Sequence, residues 1–278
     1  MAIVSEDTLF ELEARARQLR VESLKMIHRR QAGHPGGSLS AADLVAALFF
    51  FKLRVDPANP AWADRDRFIL SKGHASALLY AALAQRGYFP VADLERWGQL
   101  DCHLQGHPDR LKTPGVDLTT GLLGHGIAVA AGLALAARLM EKNYRTYVLL
   151  GDGEIQAGVI WEGAMTAAKY RLASITAILD HNDVQLDGPV HQIMPLEPLA
   201  AKWRAFNWHV FEIDGHNMRQ IVEALNVAEE IHDRPTMIIA HTTKGKGVSF
   251  MENLSQWHGL APSDEQLAQA LSELGEAR

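Results

Sequence analysis

A single cysteine, Cys102, occurs in 278 residues, so no disulfide can form within the chain and a reducing, cytoplasmic setting is expected. Long apolar runs are missing too: the stretch Leu44 to Phe51 is too short to span a bilayer. The opening residues, MAIVSEDTLFELEARARQLR, lack the basic start and apolar run of a signal peptide. No repeat, low-complexity segment or linker marks a boundary, so residues 1–278 read as one domain. With a net charge of −6 and no basic cluster, nucleic acid and anionic membranes are excluded as the main partners. What the chain does have is 47% hydrophobic residues, enough to bury a substantial core.

The organising stretch runs from Tyr147 to Asp183. Tyr147 to Leu150 is apolar and reads as a buried strand stopped by Gly151. Glu154 to Tyr170 has apolar residues at helical spacing, and Ser174 to Leu179 returns to strand composition. A βαβ unit of this kind leaves its two strands parallel, with both carboxyl ends at one edge. Asp152 and Asn182, just past the two strands, can therefore converge. Gly151 and Gly153 let a ligand approach the backbone, and the following helix would point its free N–H groups at the same place. Two protein oxygens there, together with phosphate oxygens, suit a hard cation such as Mg²⁺.

The rest of the chain keeps alternating strand and helix. Helices are expected over Asp7 to Gln31, from Ser40 or Ala41 after a Gly-rich loop at AGHPGG, from His74 to about Gln85, after the Gly-rich turn at TTGLLGHG, over Leu199 to Asn207 and over Met218 to His232. Strands are expected at Arg67 to Ser71, Trp208 to Ile213 and Thr236 to Thr242. That alternation predicts an α/β fold, a parallel sheet with helices on both faces. The Gly/Pro/Asp-rich segment at about 90–118 reads as an irregular surface excursion. Ser263 with Gln266 forms a capping-box signature for a terminal helix at about 263–275.

There are 13 histidines, and four sit beside glycines at loops or helix starts: His34, His74, His107 and His258. Taken with GDG at 151–153 and Asn182, the segments GHPGGSLS, SKGHASALLYA, GHPDRLKTPGVDLTTGLLGHG, GDGEIQAG, HND and HGLAP make the chain resemble the amino-terminal, diphosphate-binding domain of transketolase. The resemblance implies a thiamine-diphosphate-binding fold with two cofactors, thiamine diphosphate and Mg²⁺. It implies that Asp152, Asn182 and the backbone carbonyl of Val184 hold the metal. His74, His258, Asn182, the Gly153 N–H and backbone groups of Gly121 and Leu123 would bind the cofactor. His34, His107 and His258 would manage protons on sugar hydroxyls, with His258 or His34 as the base. The reaction so implied is transfer of a two-carbon ketol unit from a ketose phosphate to an aldose.

A full-length transketolase continues into a pyrimidine-binding domain that this chain does not include. The expectation is therefore half of a split enzyme, assembled as a two-fold heterotetramer and inactive without a separate carboxyl-terminal transketolase subunit. A piece cut from a longer chain is the alternative. Ala157, Leu122, His125 and His181 depart from the family pattern, whereas Glu162 keeps an acidic position. These departures leave open a related enzyme acting on a branched or sulfonated sugar phosphate, or a non-catalytic regulatory subunit. The run TTKGKG lacks the Lys-Ser/Thr of a P-loop, and Lys244 is either a cofactor contact or a surface lysine.

Overall fold

In the computed structural model, which describes residues 4–276, helix α1 (Glu6–Arg30) comes first. It starts at Ser5, whose side chain accepts from Thr8 N–H, and ends at Gln31 in the left-handed region. Two short helices follow, α2 (Pro35–Ser40) and α3 (Ala42–Ala47), and then β1 (Arg67–Leu70) and α4 (Ser76–Arg86). After the excursion come α5 (His125–Leu139), β2 (Thr146–Gly151), α6 (Gly158–Lys169), β3 (Ile175–His181), α7 (Val190–Ile193) and α8 (Leu199–Ala205). The chain closes with β4 (His209–Asp214), α9 (Met218–Glu230), β5 (Thr236–His241) and α10 (Asp264–Glu273).

All four strand pairings are parallel, and the sheet order is β1-β2-β3-β5-β4. Side chains alternate between two cores, as the two-residue period of a strand requires. Phe68, Leu70, Tyr147, Leu149, Ile178 and Ile238 pack with α1, α3, α4 and α9. Ile69, Val148, Leu150, Ala177, Leu179 and Ile239 pack with α5, α6 and α8. Both faces of β1, β2, β3 and β5 are covered, which is why their central residues are apolar, whereas edge strand β4 is half-exposed and mixed in composition. Every strand therefore ends at one common edge.

Three expectations change. The helix foreseen from Glu154 is interrupted: Glu154–Gln156 form a single 3-10 turn, Ala157 is extended, and α6 begins only at Gly158. The free N–H groups of α6 are thus set back from Gly153. Conversely, the Gly-rich segment foreseen as a loop is helical, with Pro35 at the start of α2, a position that needs no N–H. Its glycines answer a packing demand, since a Cβ on Gly36 would lie 2.9 Å from the Trp257 carbonyl oxygen. The excursion is irregular, but Trp97, Cys102, Leu104 and Val116 are buried in the first core and bind it to the domain. The terminal helix forms as foreseen, with the Ser263–Gln266 capping box closed in both directions.

Candidate active site

The strand ends deliver Ser71 to His74, Gly151 to Glu154, Asp180 to Asn182 and Thr242 to Lys244 to one edge. Between them lies a cavity of ≈ 250 Å³ lined by Lys72, His74, Leu123, Asp152, Gly153, Asn182, Val184, Leu186, Lys244 and His258, among others. Seven of the residues foreseen from the sequence therefore meet in one place. His34 is not in the wall but stands beside it, with ring centroids 5.0 Å from His74 and 5.4 Å from His258. His74 and His258 are 5.2 Å apart. His107 and Gly121 lie outside the lining and pack on each other, a Cβ on Gly121 falling 3.3 Å from the His107 ring. Gly73 lets the β1 turn close on this loop, where a Cβ would be 2.5 Å from Thr120 Oγ1.

Asp152 and Asn182 are both buried. Asp152 accepts from the N–H of Gly153 (3.0 Å) and of Asp183 (2.6 Å), which fixes both carboxylate oxygens. Asn182 Oδ1 accepts from Val184 N–H at 3.2 Å, and its amide donates to Asp180 at 3.1 Å. A carboxylate, an amide oxygen and the Val184 carbonyl form a hard-oxygen set of the kind Mg²⁺ takes. That carbonyl already attracts a cation, since the Lys244 ammonium donates to it at 3.0 Å. The donor set thus fits the metal the resemblance implies. Among the described residues, one further group of possible ligands lies close together: Asp152, His181 and Asp183, with ligand atoms within 4.8 Å of one another. Carboxylates on several sides hold His181 above its ordinary value despite burial.

Sequence reasoning left four residues of this edge unassigned. Lys72 and Asp180 form a fully buried ion pair, with Lys72 also donating to Gly37 O at 2.8 Å. Burial alone would raise the Asp180 pKa, but Lys72, Ser40 and Thr242 hold it below the usual carboxylate range. Glu154 is buried and accepts from Ser71 Oγ, from Gly124 N–H (2.8 Å) and from Gly151 N–H (3.1 Å). Burial outweighs those bonds and raises its pKa. His216 is the fourth. No local pattern marks such residues, because each takes a partner distant in sequence.

Three of the imidazoles, His34, His74 and His258, are held neutral. Burial, reinforced by neighbouring His107 and Lys244, lowers His34. Burial and then Lys72 push His74 well below its ordinary value. Burial and then Lys244 take His258 down to about 3. Burial also lowers Lys244, to about 8. While charged, Lys244 can only donate, so His258 Nδ1, 3.1 Å away, accepts from it and the ring proton sits on Nε2.

A parallel α/β sheet whose carboxyl edge gathers hard oxygens, two buried lysines and neutral imidazoles around a cavity defines a domain built for a metal-held diphosphate. The family model for the transketolase thiamine diphosphate binding domain matches residues 12–277. The chain is 44% identical to the 6-deoxy-6-sulfo-D-fructose transketolase subunit SqwG of Clostridium sp. (strain MSTE9), covering 95% of this chain and 96% of that one. It is 40% identical to an apulose-4-phosphate transketolase subunit of Actinobacillus succinogenes, covering 95% and 96%. Among solved structures, transketolase from Leishmania mexicana superposes with a TM-score of 0.91 at 32% identity, over 99% of this chain and 42% of that chain. The chain belongs to the transketolase family: it has the thiamine-diphosphate-binding α/β fold, its cofactor is thiamine diphosphate, and its class is transferase.

Proposed function

We propose that this chain is the diphosphate-binding subunit of a two-chain transketolase. It works in the cytoplasm with a separate subunit that carries the pyrimidine-binding domain, in a two-fold heterotetramer, and passes a two-carbon ketol unit from a ketose to an aldose acceptor. The convergence of Asp152, Asn182, His74, Lys244 and His258 on one cavity carries this reading. The names and lengths of the relatives support the partner. Those named as subunits match this chain over nearly their whole length, whereas it spans 42% of the Leishmania mexicana transketolase chain. Exposed apolar side chains at or beside the cavity mouth, Leu122, Leu186 and Leu260, give the partner a surface to cover. A sulfonated ketose phosphate analogue is the favoured donor, on the strength of the 44% relative, with a branched sugar phosphate second.

In this reading Asp152, Asn182 and Val184 hold Mg²⁺, while Lys72, Lys244, His74 and the Gly153 N–H face the diphosphate. Thiamine diphosphate, when bound, supplies the electron sink for breaking and remaking a carbon–carbon bond. The residues of this chain orient the sugar and move its protons. His258, protonated on Nε2, donates to a sugar or phosphate oxygen. His34, neutral and with no lysine hydrogen-bonded to its ring, is better suited to accept the proton of the hydroxyl on the breaking bond, and His107 serves hydroxyls nearer the mouth.

The test is to mix the chain with the product of an adjacent reading frame and measure thiamine-diphosphate-dependent ketol transfer over ketose phosphates, branched sugar phosphates and 6-deoxy-6-sulfo-D-fructose. Transfer is expected only in the mixture and fastest with the sulfonated ketose. Turnover by the chain alone defeats the two-chain reading.

A further inference from the structure

His216 lies in the turn after β4, outside the cavity, yet its ring is largely buried and both nitrogens are engaged. Nε2 is 2.8 Å from the backbone nitrogen of Thr243, which can only donate, so Nε2 accepts. Nδ1 therefore carries the proton and donates to Asp43, 2.7 Å away. Asp43 is clamped from behind by Arg20 through two bonds, Nη1 to Oδ1 at 3.2 Å and Nη2 to Oδ2. Arg20 Nε in turn donates to Leu39 O at 3.1 Å. A guanidinium in α1, a carboxylate in α3 and an imidazole after β4 thus form one buried line ending on the residue before Lys244.

Lys244 is where that line meets the cavity. Its backbone is fixed on the outgoing side by Gly245 N–H to Gly36 O (3.0 Å) and Asn253 N–H to Lys244 O (2.9 Å). On the incoming side, Thr242 is bonded to β3 through its N–H and hydroxyl, and the Thr243 amide goes to His216 alone. From this anchored backbone the ammonium reaches Val184 O and His258 Nδ1. A small rotation at Thr243 would move the ammonium away from both, because the lysine side chain is a long lever.

We propose that His216 is a positioning residue. Its bond to the Thr243 amide, stiffened by Asp43 and Arg20, aims Lys244 and thereby sets both the affinity of the cavity for a diphosphate and the proton position on His258. This rests on the reading of the cavity as the cofactor site.

The experiment measures calorimetric binding of Mg²⁺-pyrophosphate and Mg²⁺-thiamine diphosphate to the full chain, alongside melting temperatures. His216→Gln keeps an acceptor about as far out as Nε2. His216→Asn keeps a polar group only near Asp43. Both are expected to melt lower. His216→Asn is expected to weaken pyrophosphate binding about tenfold, the order of one lost hydrogen bond, and His216→Gln by less than about threefold. In a Lys244→Met background, itself weakened, His216→Asn is expected to add nothing, as coupled residues do. Equal losses in the Gln and Asn variants that follow melting temperature overturn the proposal, since His216 would then serve the fold only. So does a full additional loss in the Lys244→Met background. If the parent binds neither probe, or Lys244→Met leaves binding unchanged, the cofactor reading of the cavity falls and this inference with it.

Discussion

His34, His74 and His258 are basic groups held neutral by burial and by lysines. Their folded values lie below the ordinary value of 6.5, so the unfolded chain binds more protons once the pH falls below that value. Stability is therefore fully present above pH 6.5 and is lost as the pH falls toward the folded values, about 3 for His258. A tenfold loss of proton affinity on folding corresponds to about 1.4 kcal/mol. Melting temperature should drop between pH 7 and pH 5, and His74→Asn should flatten that drop by about one proton's worth of slope. An unchanged slope in scanning calorimetry would show that the ring is charged in the folded protein. The histidines were legible because they sit beside glycines in a family pattern. Lys72 was not, because its partner Asp180 lies 108 positions away, and in sequence a buried lysine looks like any loop charge.

At the scale of elements, the contact between α5 and α6 depends on Gly163. A Cβ there would lie 2.8 Å from Ile127 Cγ2 and 3.1 Å from the Ala128 backbone nitrogen. Gly163→Ala adds about 1 kcal/mol of helix propensity but overpacks this seam, which costs about 1–3 kcal/mol, so net destabilisation is expected in denaturant titration. A stabilised variant would mean the two helices slide apart freely. Strand positions and the αβ alternation were read correctly because β1, β2, β3 and β5 each carry a continuous apolar run through the middle of the sheet. The break at Ala157 was missed because Glu154 to Tyr170 has helical composition throughout. What turns Glu154 out of the helix is the set of donors waiting for its carboxylate, two of which, Ser71 and Gly124, belong to other segments. The helical α2 was missed for the opposite reason: two glycines signal a loop unless the close approach of Trp257 and Lys244 is already known.

For the whole molecule, the charge pattern shows the same limit. Arg138, Lys142, Arg145 and Arg171, dispersed in the sequence, line one cleft of ≈ 370 Å³ away from the active edge. No helix among the described residues is long and apolar enough to cross a membrane. Leu186 is 61% exposed and Leu260 is 51% exposed, so covering them would stabilise an assembly rather than the single chain. Leu260→Asp is expected to weaken association with the partner by about tenfold or more while leaving the melting temperature of the chain within about 2 °C, since a surface change away from a core contact shifts stability little. Sedimentation of the mixture checks the first and calorimetry of the chain the second. Undiminished association would place the partner elsewhere.

Because the carboxylate of Glu154 grips Ser71, Gly124 and Gly151 together, the turns after β1 and β2 and the entrance to α5 cannot wander separately. The disorder of those three turns is given up when the polypeptide folds, and an arriving pyrophosphoryl group meets a floor that has no further ordering to undergo.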